Sequence, residues 1–231
     1  MSSMVTSNNI KTATIEMYRS LGVNIQFISK ENNIKTIVVT SVGPKEGKST
    51  VITNLGVILA EFGNKVLVMD ANLRNPTIHN KFRITYDKGL SNILTGGASY
   101  NDTLYATNIK NLEVLLCGPI PCNPVALLNC KIMKDLLEKL KVEYDYILID
   151  SPAISVAADA SLLSHMCDGT LFVIASDEAT IEDTILAKEL LISAGANILG
   201  AIHNKIEVNK KNRSNKFYKF YEFYSKLRFR K

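Results

Sequence analysis

The residues with the clearest chemical potential form a short stretch rich in glycine, lysine and hydroxyl side chains. It runs from Ser41 to Thr50 with the sequence S-V-G-P-K-E-G-K-S-T, and it lies between an apolar stretch at Thr36–Thr40 and a second apolar stretch. A strand, a loop ending in G-K-S or G-K-T and a helix in this order are typical of a P-loop, whose backbone N–H groups bind phosphates. The stretch therefore predicts a site for a nucleoside triphosphate with Mg²⁺.

Each position of the loop has an expected role. We expect Lys48 to reach the β- and γ-phosphates, the Ser49 hydroxyl to ligate Mg²⁺, and Gly47 to let the backbone approach the phosphates. The strict pattern has glycine where this chain has Val42, one place before Gly43. An ordinary glycine-containing turn is the alternative, which the complete G-K-S-T ending disfavours. The predicted nucleotide-binding residues of the loop are Gly43, Pro44, Lys45, Glu46, Gly47, Lys48, Ser49 and Thr50.

Two acidic residues end apolar stretches elsewhere in the chain. Asp70 follows Val66–Met69, and Asp150 follows Tyr146–Ile149. If both stretches are parallel strands, both carboxylates emerge at the edge where open α/β sheets bind ligands. Magnesium takes one or two carboxylates, so we expect Asp150 to be a Walker-B acid, although a helix cap before Ser151 is an alternative role. The predicted metal-binding residues are Ser49, Asp70 and Asp150.

Short β-branched apolar stretches and helix-length stretches alternate along most of the chain. This alternation predicts a doubly wound, mostly parallel α/β sheet of the P-loop NTPase fold, with helices on both faces. The predicted strands are Thr36–Thr40, Val66–Met69, Leu112–Leu116, Tyr146–Ile149, Thr170–Ala175 and Ile198–His203. The predicted helices are Lys48–Phe62, Pro124–Lys141 and Thr180–Ala194, with an N-terminal helix within residues 12–29 that is clearest at Met17–Ser29.

Length and charge favour one domain followed by a basic tail. A chain of 231 residues with 46% apolar content can bury one good core. We expect a domain over residues 1–209 and a tail over residues 210–231. From Lys205 to Lys231, ten Lys or Arg residues face two Glu residues, a net charge of +8, so the preceding residues carry −3 of the total of +5. Such a tail is most often solvated, and it could also contact an anionic membrane, nucleic acid or an acidic neighbouring subunit.

Several classes of protein are disfavoured by features that the chain lacks. No apolar run approaches the roughly 18 residues of a membrane span, and Met1–Asn9 lacks the regions of a signal peptide, so we expect a cytoplasmic protein. The cysteines form no C-x-x-C pair and indicate reduced thiols rather than a disulfide framework or a zinc site. The histidines fall in no triad spacing, and we interpret them as structural.

The segment Val66–Pro76 carries a motif that permits a family comparison. Its sequence V-L-V-M-D-A-N-L-R-N-P resembles the second acidic motif, D-x-D-x-R, of the bacterial tyrosine kinases, which govern capsule and exopolysaccharide export. The resemblance extends over nearly the whole chain, and together these stretches are more specific than a P-loop alone. It includes Glu16–Leu21, Asn24–Phe27, Gly89–Leu94 and Gly118–Pro124.

The resemblance implies a protein-tyrosine kinase that uses ATP and Mg²⁺ to phosphorylate its own C-terminal tail, docked into a neighbouring subunit. The expected acceptors are Tyr218, Tyr221 and Tyr224, which recur every three residues in the basic tail. An amphipathic terminal helix packed on the domain is the alternative for this segment. The resemblance also implies a homo-oligomer, a membrane-embedded activator of the polysaccharide copolymerase kind, a cognate tyrosine phosphatase and a location at the inner face of the plasma membrane. Nucleic acid is not an expected partner.

The same resemblance assigns catalytic roles. A tyrosine hydroxyl needs a carboxylate to accept its proton and positive groups around the transferring phosphoryl. We expect Asp70 to be that base, with Lys48, Mg²⁺ and Arg74 stabilising charge. The family has an aspartate where this chain has Asn72, which can ligate or donate a hydrogen bond but cannot accept the proton. If that second acid were indispensable, the protein would be a weak kinase or a nucleotide-bound regulatory adaptor.

Two further positions concern assembly and base recognition. The family has an E-x-x-R-x-x-R oligomer contact, of which Glu16 and Arg19 remain while Gly22 replaces the last arginine. Asn204, within N-K-I-E, resembles the base-contacting N-K-x-D of related nucleotide folds, so we expect it to contact adenine. A plain polar strand exit is an equal alternative, and GTP remains open as the nucleotide.

A partitioning or site-positioning ATPase of the ParA/MinD type is the main competing hypothesis. The loop of that group resembles G-K-G-G-x-G-K-T, with a lysine five places before the P-loop lysine. This chain has Gly43 at that place, and Lys45 is too close to Lys48 to substitute. Those ATPases switch by dimerisation, and the tyrosine-rich end has no evident use in such a switch. The kinase hypothesis is therefore favoured.

Overall fold

A computed structural model describes residues 12–176 and 178–206 of the chain. The three predicted acceptor tyrosines lie outside these residues, as does the boundary predicted after residue 209. The strands are β1 Thr36–Ser41, β2 Val66–Asp70, β3 Leu104–Ala106, β4 Leu112–Leu115, β5 Tyr146–Asp150, β6 Gly169–Ala175 and β7 Ile198–Asn204. The helices are α1 Thr12–Asn32, α2 Lys48–Glu61, α3 Ile78–Phe82, α4 Leu90–Leu94, α5 Pro124–Leu128, α6 Lys131–Glu143, α7 Asp159–Met166 and α8 Ile181–Ser193, with a 3₁₀ turn at Tyr100–Thr103.

The strands form one seven-stranded sheet in the order β3-β4-β2-β5-β1-β6-β7. Every pairing is parallel except that of the edge strand β3 with β4. Because β1 lies between β5 and β6, the chain leaves β1 at a point where neighbouring crossovers go to opposite sides, which is where open α/β sheets bind ligands. This topology confirms the predicted doubly wound, mostly parallel fold.

Alternating residues of the central strands supply separate cores on the two faces of the sheet. Val66 and Val68 pack with α1 and α2 on one face, whereas Leu67 and Met69 pack with α4 to α7 on the other. Helix α2 lies very close to the sheet, since a Cβ on Gly56 would come within 2.8 Å of Val68 Cγ2. The helix that follows the phosphate loop is therefore fixed on strands whose ends carry the two predicted acids.

The structure differs from the predictions in several places. Residues predicted as the single helix Pro124–Lys141 form α5 and α6, separated at Asn129 and Cys130. Asn123 caps the first of these by accepting a hydrogen bond from Ala126 N at 3.2 Å, which gives α5 its own start. The sequence patterns also missed β3, α3, α4 and α7, which are short, and α1 is longer than predicted. None of the helices within the described ranges is long and apolar enough to cross a membrane.

Candidate active site

The loop between β1 and α2 has the backbone conformation of a tight phosphate-binding turn. Gly47 has φ of 98° and Lys45 has φ of 63°, so both lie in the left-handed region. A Cβ on Gly47 would come 2.2 Å from Asn204 Nδ2, so glycine is required both for its φ and for the close approach of β7. The Asn204 amide donates to Glu46 O at 2.8 Å. The structure thus places Asn204 against the loop itself, and its contact with a base stays a prediction.

Glu46 braces the loop from within instead of facing the cleft. Its side chain is 1% exposed and accepts hydrogen bonds from Gly43 N and from Ala175 N, the latter at 2.9 Å. Neither Glu46 nor Gly43 lines the cleft beside the loop. The carboxylate of Glu46 thus bonds the amide of Gly43 and holds β6 to the loop, and the contact of these two residues with a nucleotide stays a prediction.

This bracing gives a testable consequence for Glu46→Gln. The glutamine side chain has one oxygen acceptor and an NH₂ group that cannot accept, so a buried backbone N–H loses its partner at a cost of about 1–3 kcal/mol. We expect thermal unfolding to occur about 2–10 °C lower and nucleotide affinity to fall several-fold. Calorimetry of Glu46→Gln beside Glu138→Gln, which alters an exposed glutamate on α6, measures the effect. Equal stability of the two variants would contradict the bracing role.

Lys48 lies under the loop at the amino end of α2. Its side chain is buried, and Nζ donates to Ser41 Oγ at 2.7 Å and to Gly43 O at 3.4 Å. Burial lowers the pKa of Lys48, and the charges of Asp150 and Glu46 act in the opposite direction. Its ammonium is thus held by neutral oxygens at the loop, which leaves its charge available to an incoming phosphate.

Asp70 and Asp150 end the neighbouring strands β2 and β5 at the same register position. Both are fully buried. Asp70 Oδ2 accepts from Thr77 N and Ile78 N, each at 3.0 Å, and Asp150 Oδ2 accepts from Ser49 Oγ at 2.6 Å. The Oδ1 atom of each carboxylate has no hydrogen-bond partner. Two buried acceptors without partners are costly for a protein unless a cation or proton is bound there.

Burial also dominates the titration of this pair. It raises the pKa of Asp70 to about 8, with the charge of Asp150 adding to the rise, and three backbone N–H groups oppose it. Burial raises the pKa of Asp150 to about 6, opposed by the Ser49 hydrogen bond and by the charges of Lys48 and Lys81. The pair therefore holds a proton near neutral pH in the protein alone, and a divalent cation would displace it.

The donor set fits Mg²⁺. The two unpartnered carboxylate oxygens and the Ser49 hydroxyl are hard oxygen ligands, and Thr77 Oγ1 lies 2.8 Å from Ser49 Oγ. The described residues contain no group of three or more His, Cys, Asp or Glu side chains that could hold a metal ion. Magnesium does not need such a group, because it binds one or two carboxylates and keeps several waters. The structure brings together all three predicted metal-binding residues.

An open cleft of about 370 Å³ lies beside the loop. The predicted residues Asn72 and Arg74 line it together with Thr77 and Lys81, two residues that sequence patterns missed. Arg74 donates through Nε to Asp159 Oδ2 at 2.8 Å and through a terminal nitrogen to Oδ1 at 3.1 Å. The remaining lining residues are Pro44, Lys45, Gly47, Lys48, Ser49, Thr50, Asn75, Pro152, Ala153 and Val156.

Arg74 is held in place by a residue with no motif of its own. Asp159 is fully buried at the start of α7, whereas the Arg74 side chain is 40% exposed. The guanidinium group thus keeps one edge on Asp159 and presents the remainder to the cleft. An aspartate in the first turn of an apolar helix is common and carries no motif, so its pairing with Arg74 is visible only in the folded structure.

Glu16 and Arg19 lie on the exposed face of α1, away from the cleft. Arg19 pairs with Glu16 of the same helix at 2.8 Å, and their oligomer contact remains a prediction. Gly22 faces α2, because a Cβ there would come 2.8 Å from Ile58 Cγ2. The packing of α1 on α2 therefore leaves no room for the arginine that the related motif has at this position.

A family model, known relatives and solved structures all match this chain. A family model described as AAA domain matches residues 34–182. The chain is 40% identical over 200 residues to the tyrosine-protein kinase YwqD of Bacillus subtilis (strain 168), which covers 87% of this chain and 84% of that protein. The crystal structure of the chimerical protein CapA2B2 superposes with a TM-score of 0.84 at 33% identity, covering 89% of this chain and 91% of that one.

A more distant likeness concerns the competing hypothesis. The septum site-determining protein MinD of Pyrococcus horikoshii OT3, complexed with Mg-ADP, superposes with a TM-score of 0.67 at 27% identity, covering 79% of this chain and 75% of that one. Both its identity and its superposition are lower than those of the chimerical protein. This site-determining protein thus shares the fold of the chain at a greater distance.

Proposed function

The chain belongs to the bacterial family of tyrosine-protein kinases, and we propose that it transfers the γ-phosphoryl group of ATP to tyrosine side chains, in the service of capsule or exopolysaccharide production. One observation carries this proposal: Lys48 and Ser49 line a cleft together with Asn72 and Arg74, and Ser49 bonds the buried carboxylate of Asp150, which is paired in register with Asp70. Phosphoryl transfer requires such positioning of cations and carboxylates more than it requires covalent chemistry.

The residues divide the work between the nucleotide and the acceptor. When bound at Ser49, Asp150 and Asp70, Mg²⁺ supplies positive charge to the phosphate oxygens. Lys48 provides a second positive charge beside the loop. Asp70 Oδ2 is held by the backbone N–H groups of Thr77 and Ile78, and Oδ1 has no hydrogen-bond partner. If Asp70 contacts Mg²⁺ through one of the waters that the ion keeps, Oδ1 can accept the tyrosine proton.

Arg74 and Asn72 bound the side of the cleft that an acceptor tyrosine would enter. The Asp159 ion pair positions Arg74 so that its guanidinium can stabilise charge on the transferring group without a rearrangement. Asn72 lines the same cleft, and its backbone N–H acts to lower the pKa of Asp70. An asparagine here makes Asp70 the single carboxylate of the motif, so proton acceptance falls to Asp70 alone.

The experiment that tests this function maps phosphotyrosine on the whole chain. Incubated with ATP and Mg²⁺, with and without the cytoplasmic end of a membrane activator, the protein is expected to carry phosphate on Tyr218, Tyr221 or Tyr224. Mass spectrometry locates the sites, and the Tyr→Phe triple variant should lose at least about 90% of the incorporated phosphate if these are the main acceptors. ATP hydrolysis with unmodified tyrosines would favour a positioning ATPase, and nucleotide binding without either reaction would favour a regulatory adaptor.

We propose that the kinase acts together with partner proteins at the membrane. The proposed assembly is a homo-oligomer whose tails enter neighbouring active sites, held at the inner face of the plasma membrane by a membrane-embedded activator and reset by a tyrosine phosphatase. The likeness to the chimerical protein CapA2B2 supports a partner of this kind. The exposed Glu16 and Arg19 support a subunit contact through α1.

A further inference from the structure

Lys81 lies close to the phosphate loop although it belongs to a separate element, α3. Its Nζ donates to Thr50 Oγ1 at 3.0 Å, and its side chain lines the same cleft as Lys48 and Ser49. Nothing in the P-loop motif points to this residue, because it lies 31 positions after Thr50 in the sequence. Only the return of the chain from β2 into α3 brings the ammonium group to the loop.

Lys81 has no ion-pair partner among the described residues. Its hydrogen-bond acceptor, Thr50, lies in the first turn of α2, where the helix dipole is positive and where Lys48 adds another charge. The charge of Asp150 acts on Lys81 without forming an ion pair, and it acts on Lys48 as well. Two lysines at a helix amino terminus are stable together when an anion lies between them.

We propose that Lys81 is a phosphate-binding cation of the nucleotide site, contacting a phosphate oxygen on the Ser49–Thr50 side of the loop. Thr77, the residue before α3, is bonded to Ser49 at 2.8 Å, so α3 already contacts the loop at its start. A nucleotide held by both Lys48 and Lys81 joins the loop to the segment that carries Asn72 and Arg74. Lys81 thereby positions the acceptor side of the cleft when the nucleotide is bound.

This inference rests on the nucleotide binding of the proposed function but not on phosphoryl transfer. It is tested by the affinity of the full-length protein for a non-hydrolysable ATP analogue with Mg²⁺, measured by calorimetry. We expect Lys81→Met to weaken binding roughly 10- to 100-fold, as for the loss of a charged hydrogen bond. Lys81→Arg should stay within about 5-fold of the unsubstituted protein, and Lys88→Met, which removes an exposed lysine outside the cleft, should not change it.

Two further measurements separate this role from a structural one. The affinity of Lys81→Met should fall less steeply with added salt than that of the unsubstituted protein, because one charge contact is missing. Its unfolding temperature without nucleotide should be unchanged or higher, since a cation leaves the positive end of α2. Unaltered affinity in Lys81→Met, or lowered stability with unaltered salt dependence, would overturn the proposal. A protein that binds the analogue in this pattern but phosphorylates no tyrosine would instead contradict the kinase function alone.

Discussion

Lys48→Met is expected to abolish tyrosine phosphorylation, with a loss on the order of 10²–10³-fold or more in rate. Methionine keeps the length and apolar part of the side chain but removes the ammonium group that Ser41 and Gly43 hold at the loop. Because that charge acts on the oxygens that become more negative during transfer, its loss affects the transition state more than the bound nucleotide. Nucleotide affinity should fall by a smaller factor, roughly 10- to 100-fold.

The measurement pairs phosphotyrosine formation with binding of a non-hydrolysable ATP analogue. Lys134→Met is the matched control, since it removes a lysine charge from the exposed face of α6. Equal losses of rate and affinity would mean that Lys48 only binds the nucleotide. If the variant formed as much phosphotyrosine as the unsubstituted protein, the P-loop would have no role in the reaction.

The fold was largely predictable because its strands are apolar on both faces. Buried parallel strands produce continuous apolar runs such as Val66–Met69, and the glycine-rich loop with its flanks sets their orientation. The elements that were missed are short or at an edge. The strand β3 has three residues, of which two are partly buried and one is exposed, and α3 has one fully buried residue, Ile78. Neither carries a periodic pattern long enough to detect.

The site was predictable where a role depends on local sequence and hidden where it depends on the tertiary fold. Lys48 and Ser49 follow directly from the loop, and Asp70 and Asp150 follow from the ends of their strands. Lys81 contacts the loop only because α3 folds back over it. Glu46 was predicted only as a nucleotide-binding residue of the loop, and its bracing role was hidden because Ala175, whose N–H it accepts, lies on β6, far away in the sequence.

Asp70→Asn is the change that best separates catalysis from stability in this protein. We expect kinase activity to fall roughly 10²- to 10⁴-fold, as for loss of a general base. Asparagine keeps an oxygen for Thr77 N and Ile78 N, so α3 should stay in place. Asp135→Asn, on the exposed face of α6, is the matched control, and activity above about one tenth would place the base elsewhere.

The same variant should be more stable than the original at alkaline pH when metal and nucleotide are absent. The folded-state pKa of Asp70 is raised from 3.8 to about 8, so between these values the folded protein binds more protons than the unfolded chain, and stability falls as pH rises. Asp70→Asn removes that dependence. One unit of the shift corresponds to about 1.4 kcal/mol, or about 3–5 °C in unfolding temperature.

Thermal unfolding in EDTA at pH 5 and pH 8 measures this difference. The unsubstituted protein should lose stability between the two values more steeply than Asp70→Asn, and saturating Mg²⁺ with nucleotide should reverse the order at pH 8, because only the carboxylate binds the cation well. Parallel pH profiles would show that Asp70 does not carry the raised pKa. Burying two carboxylates side by side thus destabilises the protein without ligand, and binding of Mg²⁺ and nucleotide offsets this effect. The protein is therefore least stable when no nucleotide is bound.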